Sequence, residues 1–252
     1  MRAWLSAIIA SYRPVGGKFA VRKVRAFEGD KRLKKLLTAW VAAVDRYTSL
    51  IEPDNPWWYN ERASLSTLAG AAWTINGWIA LEEFATGKRA KSPSNGVESG
   101  DLRNGRCDLF LSDGYVSLAI EAKQAWQPIG SKAKGITYMK KAQREAWLDC
   151  WHLEDEADRK FAATFVVPTI SLAEVRHTSE SDDSCHESIR SLVTAWQAKC
   201  GDFSSTPSRR TSFAYTFPNI GEKVYSNESH CFPGVVLILE EMLPGTRRPK
   251  EG

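Results

Sequence analysis

This chain of 252 residues has no pair of cysteines at zinc-finger spacing and no internal repeat. Its five cysteines, Cys107, Cys150, Cys185, Cys200 and Cys231, are odd in number, which argues against a disulfide framework. The adjacent pairs Cys185-His186 and His230-Cys231 make poor tetrahedral chelates. Reduced thiols in a cytoplasmic protein are therefore expected. The apolar stretch at residues 3–10 is too short to cross a bilayer. It also lacks a small-residue cleavage site, so it reads as a mature amphipathic segment, and no membrane partner is expected. Hydrophobic content of 43% and charged content of 25% are ordinary for a globular protein with a sizeable core. The ten tryptophans are better read as core and interface residues than as base-stacking platforms.

Charge is unevenly spread. Residues 1–35 hold ten basic side chains against two acidic ones, a net of +8, while the remaining 217 residues hold 24 basic and 28 acidic ones, a net of −4. A basic segment on a mildly acidic body suits contact with a polyanion, although a solvated helix face would carry the same charge.

Apolar spacing predicts a helix over residues 30–50 through Leu33, Leu36, Leu37, Trp40, Val41 and Val44. Pro53 and Pro56 end it. Asn60 caps a second helix from Glu61 to about Ile75, which Asn76-Gly77 stops. Residues 78–84 read as a strand, and residues 87–105 as a loop beside a site. A hairpin follows, with strands at 106–111 and 116–123 joined by Ser112-Asp113-Gly114-Tyr115. Residues 131–160 read as a long charged helical region and 161–168 as a buried strand. A loop at 176–184 precedes a helix at 187–199. Residues 201–212 read as a mobile loop in which Arg209 and Arg210 face solvent or phosphate, and closing strands fall at 213–217 and 234–239. Three parts result: a basic, mainly helical N-terminal region (1–56), an α/β domain (57–243) and a flexible tail (244–252). The central order of helix, three strands, helix and strand favours a mixed β-sheet flanked by helices.

The chemistry gathers on the hairpin. Asp108 opens its first strand, and Glu121-Ala122-Lys123 ends its second. Strand alternation puts Glu121 and Lys123 on one face and Leu118, Ile120 and Ala122 on the other. Two carboxylates offer oxygen ligands to a hard divalent cation, which neutralises a phosphodiester and lowers the pKa of bound water. A lysine beside them orients the nucleophile or stabilises the pentavalent transition state. Whether Lys123 is also a base is open, because carboxylates and a cation push its pKa in opposing directions. A salt-bridged surface hairpin would carry the same three side chains, but the apolar flanks imply a buried strand.

With these elements around it, the motif resembles that of the PD-(D/E)xK nuclease superfamily, the restriction-endonuclease-like fold, over roughly residues 57–168. Cys107 stands where the family name has proline. The resemblance implies that Asp108, Glu121 and the Ala122 carbonyl bind Mg2+, with Mn2+ as an alternative, and that Lys123 sits by the attacking water. It also implies a glutamate on the first core helix. Glu61 is the choice, with Glu82 and Glu83 as competitors should residues 78–84 be helical. Gln124 falls on the opposite strand face and is expected to orient the following helix.

The implied activity is that of a metal-dependent endonuclease acting on DNA, with bacterial antiviral defence or repair as an association of the superfamily. The alternatives are a catalytically silent nuclease-fold module that binds nucleic acid, and a subunit of a homodimer or larger assembly with Pro56-Trp57-Trp58-Tyr59 and the long charged helix as contact surfaces.

Overall fold

The computed structural model describes residues 20–51, 53–89, 102–130, 133, 135–154, 157–177, 182–220 and 225–246. The apolar stretch 3–10, most of the expected loop 87–105 and the end of the tail lie outside the described residues.

Helix α1 (Lys31–Leu50) forms where the apolar spacing predicts it, burying Leu33, Leu36, Leu37, Trp40, Val41 and Val44. Asp30 caps it, accepting from Leu33 N at 3.0 Å. Helix α2 (Glu61–Trp73) begins likewise, with Asn60 Oδ1 accepting from Ala63 N at 3.0 Å. Past its end the chain turns through Gly77 at φ +82°, a conformation that glycine adopts without a Cβ clash.

The strands are β1 (Val21–Arg25), β2 (Ile79–Arg89), β3 (Leu102–Ser112), β4 (Ser117–Pro128), β5 (Arg159–Ser171), β6 (Arg210–Phe217), β7 (His230–Cys231) and β8 (Val235–Met242). Seven run in the order β1-β6-β8-β5-β4-β3-β2, and the short β7 pairs with β5. Among the described residues, only β4 and β5 pair in parallel. Helix α3 (Thr137–His152) lies between them in sequence, as a crossover between parallel neighbours requires. Helices α4 (Leu172–His177) and α5 (Asp182–Cys200) follow β5. The protein is thus an α/β fold with a mixed sheet between helices.

The sheet has two packed faces, and alternation sorts its residues between them. Phe161, Ala163, Phe165, Leu237 and Leu239 join the core under α1 and α2. Val166, Ile170, Phe213, Val236 and Ile238 pack with Ile189, Val193 and Trp196 of α5. Ala162 and Met242 pack with Ala146, Trp147 and Cys150 of α3. The central strand β5 is therefore apolar on both sides, as its sequence suggested.

Several expectations change. Val21–Arg25 is a strand, paired antiparallel with β6, so part of the basic segment lies inside the sheet. Strand β2 runs on to Arg89, and β3 starts at Leu102, which shortens the expected loop. Helix α3 occupies only 16 residues of the charged stretch. Part of 176–184 is helical, because α4 and α5 reach into it. Arg209 is neither solvated nor available to phosphate: it pairs with the buried Glu240 at 2.7 Å and stacks on Trp147 at 3.7 Å. Trp57 is 1% exposed and donates Nε1–H to Phe232 O at 3.1 Å, so it belongs to the core and not to a contact surface.

Candidate active site

Strands β3 and β4 pair regularly from Ser112↔Ser117 to Leu109↔Ile120. The regularity ends at Asp108. Across the sheet, Glu83 of β2 takes φ +53° and leaves a gap in the β2–β3 register between Glu82↔Leu109 and Phe84↔Cys107. The strands change face at this point. Leu109 and Leu111 pack under α1 and α2, whereas Cys107 packs with Ala119 and Leu153 on the other side. The kink frees the Asp108 carboxylate to act as a backbone partner, and its Oδ2 accepts from Ala122 N at 2.8 Å. Asp108 and the Glu121-Ala122-Lys123 segment are thereby locked together.

Glu121 is 2% exposed, held between sheet and α3. Its Oε1 lies 2.7 Å from Lys88 Nζ but takes no aligned hydrogen bond. Burial first, and the Asp108 charge second, push its carboxyl up to about 7, against the pull of Lys88. Lys123 donates to Ala122 O at 3.0 Å and pairs with Asp149 of α3 at 2.8 Å. Burial pulls the Lys123 ammonium down, but the Asp149 hydrogen bond and the charges of Asp149, Glu61 and Asp108 outweigh it and hold the pKa above the ordinary lysine value.

Glu61, in the first turn of α2, accepts from Gln124 N at 3.1 Å. Burial raises its carboxyl; Lys123 opposes this, and Asp108 and Asp149 add to it. Glu61 thus shares one electrostatic neighbourhood with the hairpin residues. Its competitors do not join it. Glu83 is drawn to Arg62 and Arg106, and Glu82 accepts from Ser66, all on the exposed side. Gln124 serves the preceding helix instead of the following one: its amide accepts from Ser64 at 2.8 Å and donates to Trp57 O at 3.2 Å. It seats the start of α2, and hence Glu61, against β4.

Two site residues were missed in the sequence. Asp149 lies in the last turn of α3 between the sheet-facing Ala146 and Cys150; an acid on the buried side of a crossover helix was the available signal. Lys88 sat in what read as a loop. Together the site holds four carboxylates (Asp108, Glu121, Glu61, Asp149) and two ammonium groups (Lys88, Lys123), a formal surplus of two negative charges.

Such a surplus fits one divalent cation. Lys88 sits on a Glu121 oxygen and Lys123 on the Ala122 carbonyl, so positive groups already rest on two of the three expected ligands. Among the described residues no three His, Cys, Asp or Glu side chains group closely enough to enclose a metal by themselves. A cation such as Mg2+, which keeps several waters and uses one or two carboxylates, would have Asp108 and Glu121 as its carboxylate donors. All five cysteines are buried, and none is in a disulfide. No helix among the described residues is long and apolar enough to cross a membrane. Comparison of the chain with models of known families, with curated proteins and with solved structures finds no match.

Proposed function

We propose that this protein is a divalent-metal-dependent nuclease that hydrolyses phosphodiester bonds, with DNA as the expected substrate. The observation carrying the proposal is the convergence of Asp108, Glu121, the Ala122 carbonyl and Lys123 at a kinked pair of strands, with Glu61 and Asp149 beside them. The order α2, β2, β3, β4, α3, β5 is the helix–strand–strand–strand–helix–strand order of the PD-(D/E)xK nucleases, which supports the same reading. A role in defence against foreign DNA, or in repair, accompanies that resemblance.

In this reading Asp108, Glu121 and the Ala122 carbonyl hold Mg2+. When bound, the metal neutralises the phosphodiester and lowers the pKa of a coordinated water. Asp108 is fixed by its bond from Ala122 N, so ligand placement is set by the backbone. Lys123 pairs with Asp149 at 2.8 Å, a contact that favours its charged form. Its work is electrostatic: it places a positive charge where the phosphorane gains negative charge, and it orients the attacking water through an N–H. Glu61, in the first turn of α2, would accept a hydrogen bond from that water.

The test is cleavage of supercoiled plasmid in Mg2+ by the full chain and by Lys123→Ala. Wild type nicks or linearises the plasmid, and Lys123→Ala loses on the order of 100-fold or more in rate, as for removal of a transition-state donor. Absence of wild-type cleavage on both DNA and RNA overturns the nuclease reading. One observation favours a catalytically silent nuclease-fold subunit instead: lysines already partner the Glu121 carboxylate and the Ala122 carbonyl. Calorimetry with Mn2+ separates the two readings, because the silent subunit binds nucleic acid in a salt-sensitive way without binding metal.

A further inference from the structure

Lys88 is held in the site by more than its charge. Its strand end is tied to the chain leaving α3: Lys88 bridges to Leu153, Glu154 N donates to Gly87 O at 3.1 Å, and Arg89 pairs with Glu154 at 3.5 Å. From that anchor the side chain crosses β3 over Gly105. A Cβ at position 105 would lie 2.6 Å from Lys88 Cγ, 2.8 Å from its Cβ and 2.9 Å from its Cδ. The missing side chain is therefore the channel through which Lys88 reaches Glu121. The ammonium ends 2.7 Å from Glu121 Oε1, with the lysine side chain 19% exposed. A buried carboxylate needs a partner, and this one has a cation on a flexible tether.

We infer that Lys88 is a displaceable counter-ion of the metal site, a positioning residue that a divalent cation drives off Glu121 and that then meets the substrate phosphate. The inference rests on the proposed metal-binding reading of Asp108 and Glu121. Two cations cannot share one buried carboxylate oxygen without strong repulsion. Lys88 must therefore leave Oε1 when a metal takes that oxygen. Its backbone is fixed, but four rotatable bonds let the ammonium swing within the same cleft. The anion that needs a cation there is the phosphodiester, so the charge that neutralised Glu121 is passed to the substrate.

The test uses the full chain and the metal alone. Acetylation of lysines, read residue by residue by mass spectrometry, is compared in chelator, in Mg2+ and in Ca2+, with calorimetry to confirm that the metal binds. Lys88 labelling is expected to rise several-fold on metal addition, and to be high in Glu121→Gln with or without metal. In Ca2+, Lys88→Met is expected to weaken nucleic-acid binding several-fold and to lower the salt slope by about one, the signature of a single phosphate left without its cation. Gly105→Ala, which blocks the channel and leaves the lysine in place, should reproduce the weaker binding. Metal heat with unchanged Lys88 labelling overturns the inference while sparing the metal site. So does a Lys88→Met protein that binds nucleic acid as wild type does. Absence of metal heat overturns this inference and the metal site together.

Discussion

At the scale of single residues, Glu121 is a carboxylate buried beside Asp108 and offset by Lys88. Its carboxyl stands at about 7 in the folded protein, against roughly 4.3 in an unfolded chain. Between those values the native state binds more protons than the unfolded state, so stability falls as pH rises and the full penalty is present above 7. In chelator, Glu121→Gln should therefore gain on wild type between pH 5 and pH 8, by at most about 3 kcal/mol. The substitution also removes the Lys88 ion pair, so the result is read from how the difference varies with pH. Urea denaturation at several pH values checks this, and a difference that does not vary with pH would mean that the buried carboxylate is not under strain. The neighbouring residues were unequally legible in sequence. Asp108, Glu121 and Lys123 stand out because a turn and two apolar strands frame them. Lys88 does not, because the glycine and charges around it read as loop composition, and the open face of Gly105 exists only once β2 and β3 have paired.

At the scale of elements, α1 depends on one carboxylate with two duties. Asp30 caps the helix through Leu33 N and accepts from Arg159 at 2.7 Å. Burial raises its carboxyl, but the Leu33 N–H and then Arg159 outweigh burial and hold it below the ordinary value. Stability from this group is present above the unfolded value near 3.9, and is lost as pH falls through the lower folded value. Asp30→Ala should cost about 1 kcal/mol in capping alone. Asp30→Asn keeps a capping oxygen, so its cost should come mainly from the broken Arg159 pair, and it should flatten the acid limb of the unfolding curve. Circular dichroism across pH 2–7 measures both, and an Asn variant with the wild-type acid limb would mean that Arg159 contributes nothing. Helices α1 and α2 were readable because their cap and apolar period agree. Helix α3 is shorter than its charge-rich composition suggests, because such composition hides a helix end; the chain leaves the helix where Leu153 takes extended φ/ψ. Asp149 was hidden for a related reason: its role depends on how the crossover helix lies over β4, and no local pattern encodes that crossing.

At the scale of the whole molecule, the described part of the basic N-terminal segment and the acidic site are set apart: β1 is one edge of the sheet, and the site lies on β3 and β4. Arg32 ties the start of α1 to Asp113 in the β3–β4 turn at 2.6 Å. Asp108 lies five residues down β3 from that turn, about 17 Å away at 3.4 Å per residue. Lys31, Lys34 and Lys35 are exposed on the first turns of the helix. In the proposed reading they would be too remote to touch the reacting phosphate, yet near enough to meet the same duplex about five base pairs away, at 3.4 Å per pair along one strand. In the proposed nuclease reading, the charge asymmetry seen in the sequence would divide the labour, with affinity at α1 and chemistry at the hairpin. Replacing Lys31, Lys34 and Lys35 together by Gln should weaken nucleic-acid binding and reduce the slope of log K against log salt by up to about 2.7, roughly 0.9 for each phosphate no longer neutralised. The cleavage rate at saturating substrate and Mg2+ should not change, because none of the three reaches the site. Fluorescence anisotropy in Ca2+ across a salt series gives the slope, and single-turnover cleavage gives the rate. A slope that stays at the wild-type value would move the footprint off α1, whereas a fallen rate with an intact slope would mean that the helix acts on the site through the Arg32–Asp113 tie to the hairpin.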